Sequence, residues 1–258
     1  MFLFASAYGL ARMHSCRLYV DPRIINELRL YFQINLCQTN IEPNTLEKLI
    51  QWHNACTFYS DLMKPNVLAV FNYLELKGFW QSYKYFDNYI DEIRGQFTFK
   101  PEIKQKIASS NLRPYQTNSS NVTLIGIHIR RGDFLSVRRV SSNDYILESM
   151  IYFNKKYLNQ TMFIIGSDDK PYCQKHFGNI SNVFITPQTF SAGEDLAILS
   201  SCKHVVITAG TFGWWAGFLV QAKVIHDVKS HQDPTAIDNN CKTDQYFPNW
   251  FSPLNKTI

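Results

Sequence analysis

The sequence predicts an α/β fold with a doubly wound parallel sheet, and three observations predict it. Short apolar runs alternate with amphipathic ones along the second half of the chain, with short connections between them. Leu124-Ile125-Gly126-Ile127-His128-Ile129 is a nearly continuous apolar run rich in β-branched residues, the pattern of a strand buried on both faces. Charged or glycine-containing turns follow the strands, at the sheet edge where open α/β proteins bind ligands.

The elements follow in order. Residues 1–14 read as an amphipathic helix, and Tyr19-Val20-Asp21-Pro22 as a short strand and turn. Pro22 has the fixed φ that suits a helix start, so 23–31 reads as a helix. A further helix is expected over 41–50, with Asn44 as its cap. Asn66–Phe71 reads as a strand, and the polar stretch from Asp91 to Gln105 as helical in part. Between them lies an aromatic cluster of Phe79, Trp80, Tyr83, Tyr85, Phe86 and Tyr89, suited to core packing or to stacking on a sugar. Residues 109–121 are polar and read as a surface linker. That linker divides an N-terminal unit, 1–115, from a C-terminal unit, 116–258.

In the second unit, strands are expected at 122–129, 161–166, 183–186, 204–208 and 223–226. Helices are expected near 142–157, 170–177, 193–202 and 211–221. The tail from 229 is polar, with Tyr246, Phe247, Trp250 and Phe251 available for docking.

Two stretches carry chemistry. Arg130-Arg131-Gly132-Asp133 closes the first strand of the second unit, and paired guanidiniums there suit a phosphate-rich ligand because each forks onto two oxygens. Gly132 allows a sharp turn, Asp133 can hold one arginine, and His128 shares a strand face with Arg130. Ala209-Gly210-Thr211-Phe212-Gly213-Trp214-Trp215 turns into a helix whose first amides and threonine hydroxyl form an anion site. The tryptophans favour core packing over a sugar platform. Asp168 and Asp169 precede Pro171 and read as helix caps, while Asp195 reads either as a cap or as a ligand-binding carboxylate.

Composition bounds the rest. A chain of 258 residues with 45% hydrophobic and 18% charged residues is globular, and its net charge of +5 is dispersed. No run of five or more Lys/Arg points to nucleic acid, so the arginine pair fits a nucleoside diphosphate better than a polynucleotide. No apolar run reaches the length of a membrane span, and residues 1–11 lack the marks of a signal peptide. Five Asn-x-Ser/Thr acceptors, at Asn118, Asn121, Asn159, Asn179 and Asn255, exceed the about two or three this composition gives by chance. Six cysteines allow fifteen full pairings, and Cys173 and Cys202 fall on helices where packing is the simpler role. No Cys-x-x-Cys or His-x-x-x-His pattern supports a metal site.

Taken in order, His128-Ile-Arg-Arg-Gly-Asp133, Ser167-Asp168-Asp169, Glu194-Asp195-Leu196 and Thr211-Phe-Gly-Trp-Trp215 resemble the α-1,2-fucosyltransferases. The opening Phe2–Arg12 resembles that family's first helix. The resemblance runs from about residue 1 to about 227, strong in the second half and thin between 20 and 115. It implies two facing Rossmann-like lobes of the GT-B type, an acceptor-side lobe and a nucleotide-sugar-binding lobe. It also implies either a chain truncated at its N-terminus or a member that has lost that segment. The family's Gly-Asn strand and turn are missing before Met1, so the first lobe would lack its first strand. The full-length form would sit in the Golgi lumen behind a membrane anchor, and membrane contact would come only through a segment absent from this chain.

The activity so implied is inverting transfer of L-fucose from GDP-fucose to a galactoside hydroxyl in α-1,2 linkage. GDP-fucose and a glycan acceptor are the expected partners, with no nucleic acid and no cofactor. The sequence has no Asp-x-Asp grip, which implies metal independence, with arginine charge in place of a divalent ion. In this assignment Arg130 binds the β-phosphate, His128 contacts the nucleoside, and Arg131 and Asp133 orient the loop. Asp133 is also the candidate base. Asp195 accepts from the guanine N1–H and amino group, and Thr211, Phe212 and Gly213 cradle the phosphate. The alternatives are an inactive member that binds a glycan or a partner, and a transferase for another GDP-sugar donor or a protein acceptor.

Overall fold

The computed structural model describes residues 1–36, 49–65, 67, 73–109, 121–136, 140–220, 222–228 and 242–254. The chain divides into two compact units: Met1–Thr98 with Ile237–Pro248, and Phe99–Ala236 with Asn249–Ile258.

In the first unit, helix α1 (Phe2–Met13) buries Phe2, Phe4, Ala5, Ser6, Gly9 and Leu10, a one-sided stripe at helical spacing. The Ser6 hydroxyl donates to the carbonyl of Trp80 at 3.0 Å. Helix α2 (Pro22–Arg29) starts as its sequence dictates: Asp21 accepts from the Arg23 N–H and Pro22 occupies the first turn. The strand expected at Tyr19–Val20 does not form; those residues are irregular and half-buried to exposed, with no partner strand among the described residues to satisfy an extended backbone.

Strands β1 (Leu49–Asn54) and β2 (Tyr73–Gly78) pair in parallel from Leu49↔Tyr73 to Asn54↔Gly78. The helix expected over 41–50 falls mostly outside the described residues, and its last two positions open β1 instead. The strand expected at 66–71 likewise lies outside them, except for Val67, which is in a turn. Most of the aromatic cluster is core: Trp80, Tyr85 and Phe86 are fully buried and Tyr83 nearly so, while Phe79 is 62% exposed. The Tyr85 hydroxyl accepts from the Tyr59 N–H at 2.8 Å and donates to the Thr57 carbonyl at 3.0 Å. Helix α3 (Ile90–Gln96) lies in this unit, as does a short helix, Thr243–Tyr246, whose Gln245 carbonyl accepts from the Ser82 hydroxyl.

The second unit opens with α4 (Pro101–Ala108) and then alternates strand and helix as its sequence predicts. Its elements are β3 (Thr123–Ile129), α5 (Asn143–Lys156), β4 (Thr161–Ser167), α6 (Lys170–Phe177), β5 (Val183–Ile185), α7 (Ala192–Ser200), β6 (His204–Ile207), α8 (Thr211–Leu219) and β7 (Val224–His226). A final strand, β8 (Phe251–Pro253), comes from the tail, which had no expected strand. The six strands form one parallel sheet in the order β5-β4-β3-β6-β7-β8.

Alternation along β3 shows the double winding. Ile125, Ile127 and Ile129 pack with Tyr145, Ile146, Met150 and Phe153 of α5 and with Cys173 and Phe177 of α6. The intervening Gly126 lies against Leu199 of α7, and His128 against Gly213 of α8. Helices therefore cover both faces, and the strands can be apolar on both. Trp214 and Trp215 are core, with Trp214 stacked on Phe218 and close to Phe251. Burying each such side chain is worth roughly 1.5–3 kcal/mol. Cys173 and Cys202 are buried free thiols, and Cys56 is disulfide-bonded.

Candidate functional site

The carboxyl ends of β3, β4 and β6 are stitched together by two hydroxyls. Ser167 donates to the Ile129 carbonyl at 2.7 Å and accepts from the Asp169 N–H at 3.0 Å. Thr208 accepts from the Arg130 N–H at 2.8 Å and lies 3.5 Å from Nδ1 of His128. These bonds fix where the backbone leaves the sheet, and a cleft of about 400 Å³ opens above them. His128, Arg130, Ser167, Asp168, Lys170, Gln188, Phe190, Asp195 and Phe212 line it.

Arg130 stands at the side of the cleft. One terminal nitrogen donates to Asp168 at 2.7 Å, the other to Asp133 at 2.5 Å, and the guanidinium lies over the Phe134 ring. Arg131 turns elsewhere: its guanidinium stacks 3.3 Å from the Tyr172 ring centroid and pairs with Asp169, while its N–H donates to Asp168. Arg131 thus ties the β3 turn to the start of α6. Asp133 is mostly exposed and reaches the cleft only through Arg130.

Asp169 caps α6 by accepting from the Tyr172 N–H, as expected. Asp168 does not cap. It binds the side chain of Arg130 and the backbone of Arg131, because its position one residue before the cap points it back at the β3 turn. Asp195 is no cap either. Ser191 caps α7 in a reciprocal box with Glu194, which places Asp195 in the body of the first turn.

Asp195 lies on the buried floor of the cleft and pairs with Lys170 at 2.9 Å. The Lys170 ammonium also donates to the carbonyls of Pro187 at 2.8 Å and Phe190 at 3.3 Å. Burial pushes the Asp195 carboxyl above its ordinary range, and Lys170 opposes that rise. Sequence reading missed Lys170, since a lysine in the first turn of a short helix ordinarily points to water.

His128 is 3% exposed, with its ring 5.1 Å from that of Phe212. Burial, and then the charge of Arg130, holds its pKa down at about 3, so it is a neutral imidazole at physiological pH. Gly213 is required beside it: a Cβ there would sit 2.5 Å from Nδ1 of His128. Gly210, at φ 93°, supplies the left-handed turn that begins α8. Of the eight residues singled out from sequence, His128, Arg130, Asp195 and Phe212 line the cleft; Arg131, Asp133, Thr211 and Gly213 are not among its lining residues. Around it three cations meet four carboxylates: Arg130, Arg131 and Lys170 against Asp133, Asp168, Asp169 and Asp195. Among the described residues no group of three or more His, Cys, Asp or Glu is placed to hold a metal ion.

Residues 1–252 match the sequence profile of glycosyl transferase family 11. The chain is 26% identical over 234 residues to galactoside 2-alpha-L-fucosyltransferase SEC1 of Bos taurus, covering 86% of this chain and 62% of that one. It is 26% identical over 238 residues to human galactoside alpha-(1,2)-fucosyltransferase 1, covering 86% and 63%. It thus spans a little under two thirds of the length of these relatives. Among solved structures it resembles fucosyltransferase NodZ from Bradyrhizobium, with a TM-score of 0.53 and 15% identity over 85% of this chain and 88% of that one. A NodZ α-1,6-fucosyltransferase crystal soaked with GDP-fucose gives a TM-score of 0.52 at 15% identity. At that identity the likeness is one of fold, an α/β fold of the GT-B type.

Proposed function

We propose a function on one premise: the chain belongs to glycosyl transferase family 11. The function is transfer of L-fucose from GDP-fucose to a galactoside hydroxyl, in α-1,2 linkage, with inversion and without a metal ion. The single observation that carries it is the cleft at the carboxyl edge of the sheet, with Arg130 at its side and the Lys170–Asp195 pair on its floor.

In this mechanism the floor binds the base. The Watson–Crick edge of guanine offers two adjacent N–H donors, which suit a buried carboxylate; adenine offers an acceptor there and is refused. Lys170 holds the Asp195 oxygens in place. Neutral His128 hydrogen-bonds the nucleoside without adding charge. The diphosphate lies between Arg130 and the first turn of α8, where the amides of Thr211, Phe212 and Gly213 have no partner within the helix.

The acceptor oxygen attacks C1 of fucose opposite the β-phosphate. The C1–O bond breaks, GDP departs with the electron pair, and Arg130 stabilises the growing charge. Asp133 is the candidate to take the acceptor proton once phosphate has displaced it from Arg130. The Asn-x-Ser/Thr acceptors favour a luminal compartment; among the described residues no helix is long and apolar enough to cross a membrane.

Calorimetric titration of GDP without divalent metal, paired with GDP-fucose turnover on galactosides, tests the assignment. Binding and turnover by the wild type, both lost in Arg130→Ala, are expected. Unaltered GDP affinity in that variant would remove Arg130 from the donor site.

A further inference from the structure

The cleft makes no use of the Asn-x-Ser/Thr acceptors. Three of them, Asn121, Asn159 and Asn179, lie among the described residues, and all three are exposed. The register of the sheet aligns them. Thr123 of β3 pairs with Thr161 of β4, so Asn121 and Asn159 each stand two residues before paired positions. Phe163 of β4 pairs with Val183 of β5, so Asn159 and Asn179 each stand four residues before paired positions. Asn159 and Asn179 lie in turns outside the ladder, but each turn leads directly into its strand, and parallel strands all begin at the same edge. That is the amino edge of three adjacent strands, about 20 Å along β3 from the cleft.

Asn159 has a second reason to be asparagine. Leu158 and Asn159 form a two-residue turn at φ 50° and 61°, a conformation asparagine tolerates better than most residues. Asn121 and Asn179 have no such backbone demand. The surface beside Asn159 also needs cover. Leu158 is 83% exposed and Ile151 64%, and with Leu147 they form an apolar stripe running down the outer face of α5 to the turn.

We propose that Asn121, Asn159 and Asn179 carry N-linked glycans, forming a carbohydrate rim on the amino edge of the sheet while the cleft at the carboxyl edge stays open. The glycan on Asn159 covers the Leu147–Ile151–Leu158 stripe. In the transfer the asparagine nitrogen bonds to C1 of the oligosaccharide, displaces a lipid-linked diphosphate that leaves with the electron pair, and loses one amide proton. The hydroxyl required two residues on is sealed in the folded chain at Thr161, which is buried and bonded to Asn154 and Asn182. Attachment at Asn159 therefore precedes the packing of β4. None of this rests on the donor assignment of the cleft.

The test is site-by-site peptide mapping of the full 258-residue chain, directed through the secretory pathway of insect cells by a cleavable leader. Enzymatic release of the glycans in heavy-oxygen water marks each formerly occupied asparagine as labelled aspartate. Occupancy of two or three of the sites, in the secreted or the retained pool, is the expected result; occupancy of one or none overturns the rim. Asn159→Asp keeps a residue that tolerates the turn but removes one acceptor. The monodisperse fraction of that variant should fall at least two-fold, and an unchanged fraction would remove the shielding role of that glycan.

Discussion

The two ends of the six-stranded sheet each bury a histidine among cations, and the carboxyl end opens onto the cleft lined by Arg130 and Asp195. At the carboxyl end, His128 lies beside Arg130. At the amino end, His204 lies among Lys156, Lys203 and Lys223, with its Nε2 2.5 Å from the Tyr157 hydroxyl and its ring stacked on Phe153. Burial first, and then the neighbouring cations, depresses both histidines, His128 to about 3 and His204 to about 4. A depressed histidine in basic surroundings is thus common to both ends and does not by itself distinguish the cleft. The difference lies in the carboxylates. Asp133, Asp168 and Asp195 hold the cations of the carboxyl end in fixed directions around open space. The lysines of the amino end rest on tyrosine rings instead.

Removing one fixed cation tests whether the carboxylates organise the carboxyl end. Lys170→Met leaves a buried carboxylate without its partner and should cost about 3–5 kcal/mol in urea unfolding. Adding Asp195→Leu should recover most of that stability while abolishing GDP binding. A stable single variant would show that the pair does not organise the floor. Arg130→Ala should lower turnover about 100- to 1000-fold with a near-native melting temperature. Rates within ten-fold of wild type would place the critical charge elsewhere.

Acidification probes both ends together. The ordinary histidine pKa is about 6.5, and both folded values lie below it. As pH falls, the unfolded chain therefore takes up protons first. The stabilisation is fully present above about 6.5, and it is lost progressively down to about 4 for His204 and about 3 for His128. Melting temperature should fall across that window. His204→Gln should flatten the decline above pH 4 and leave GDP affinity unchanged; altered affinity would couple the two ends. The smallest effect should come from Lys203→Ala or Lys223→Ala, below about 1 kcal/mol each, with donor binding intact.

The second unit was legible because strand and helix periods alternate without long loops, and the carboxyl end because Arg130-Arg131-Gly132-Asp133 concentrates charge just after an apolar run. Strand β8 was not, since Phe251-Ser252-Pro253 has no pattern of its own and is a strand only through its pairing with β7. Lys170 was hidden for a similar reason. Its partners Pro187, Phe190 and Asp195 lie 17 to 25 residues away, so its burial is a property of the fold. The place of Asp195 within α7 was readable: Ser191-Ala192-Gly193-Glu194 carries the Ser-x-x-Glu signature of a capping box, which leaves the next residue free of capping duty.

The carboxylates on Arg130 have a further consequence. The guanidinium is already neutralised at both of its outer nitrogens, so an arriving anion finds no bare positive charge and must exchange with Asp133 or Asp168. A singly charged ion gains little in that exchange, because it surrenders water only to replace an equally charged carboxylate. Under the proposed donor assignment a diphosphate would gain more, since it would meet the released fork with one phosphate while the other reached the α8 amides. Tolerance of cellular salt and preference for a doubly charged ligand would then share one origin: a site that stores its own counterions.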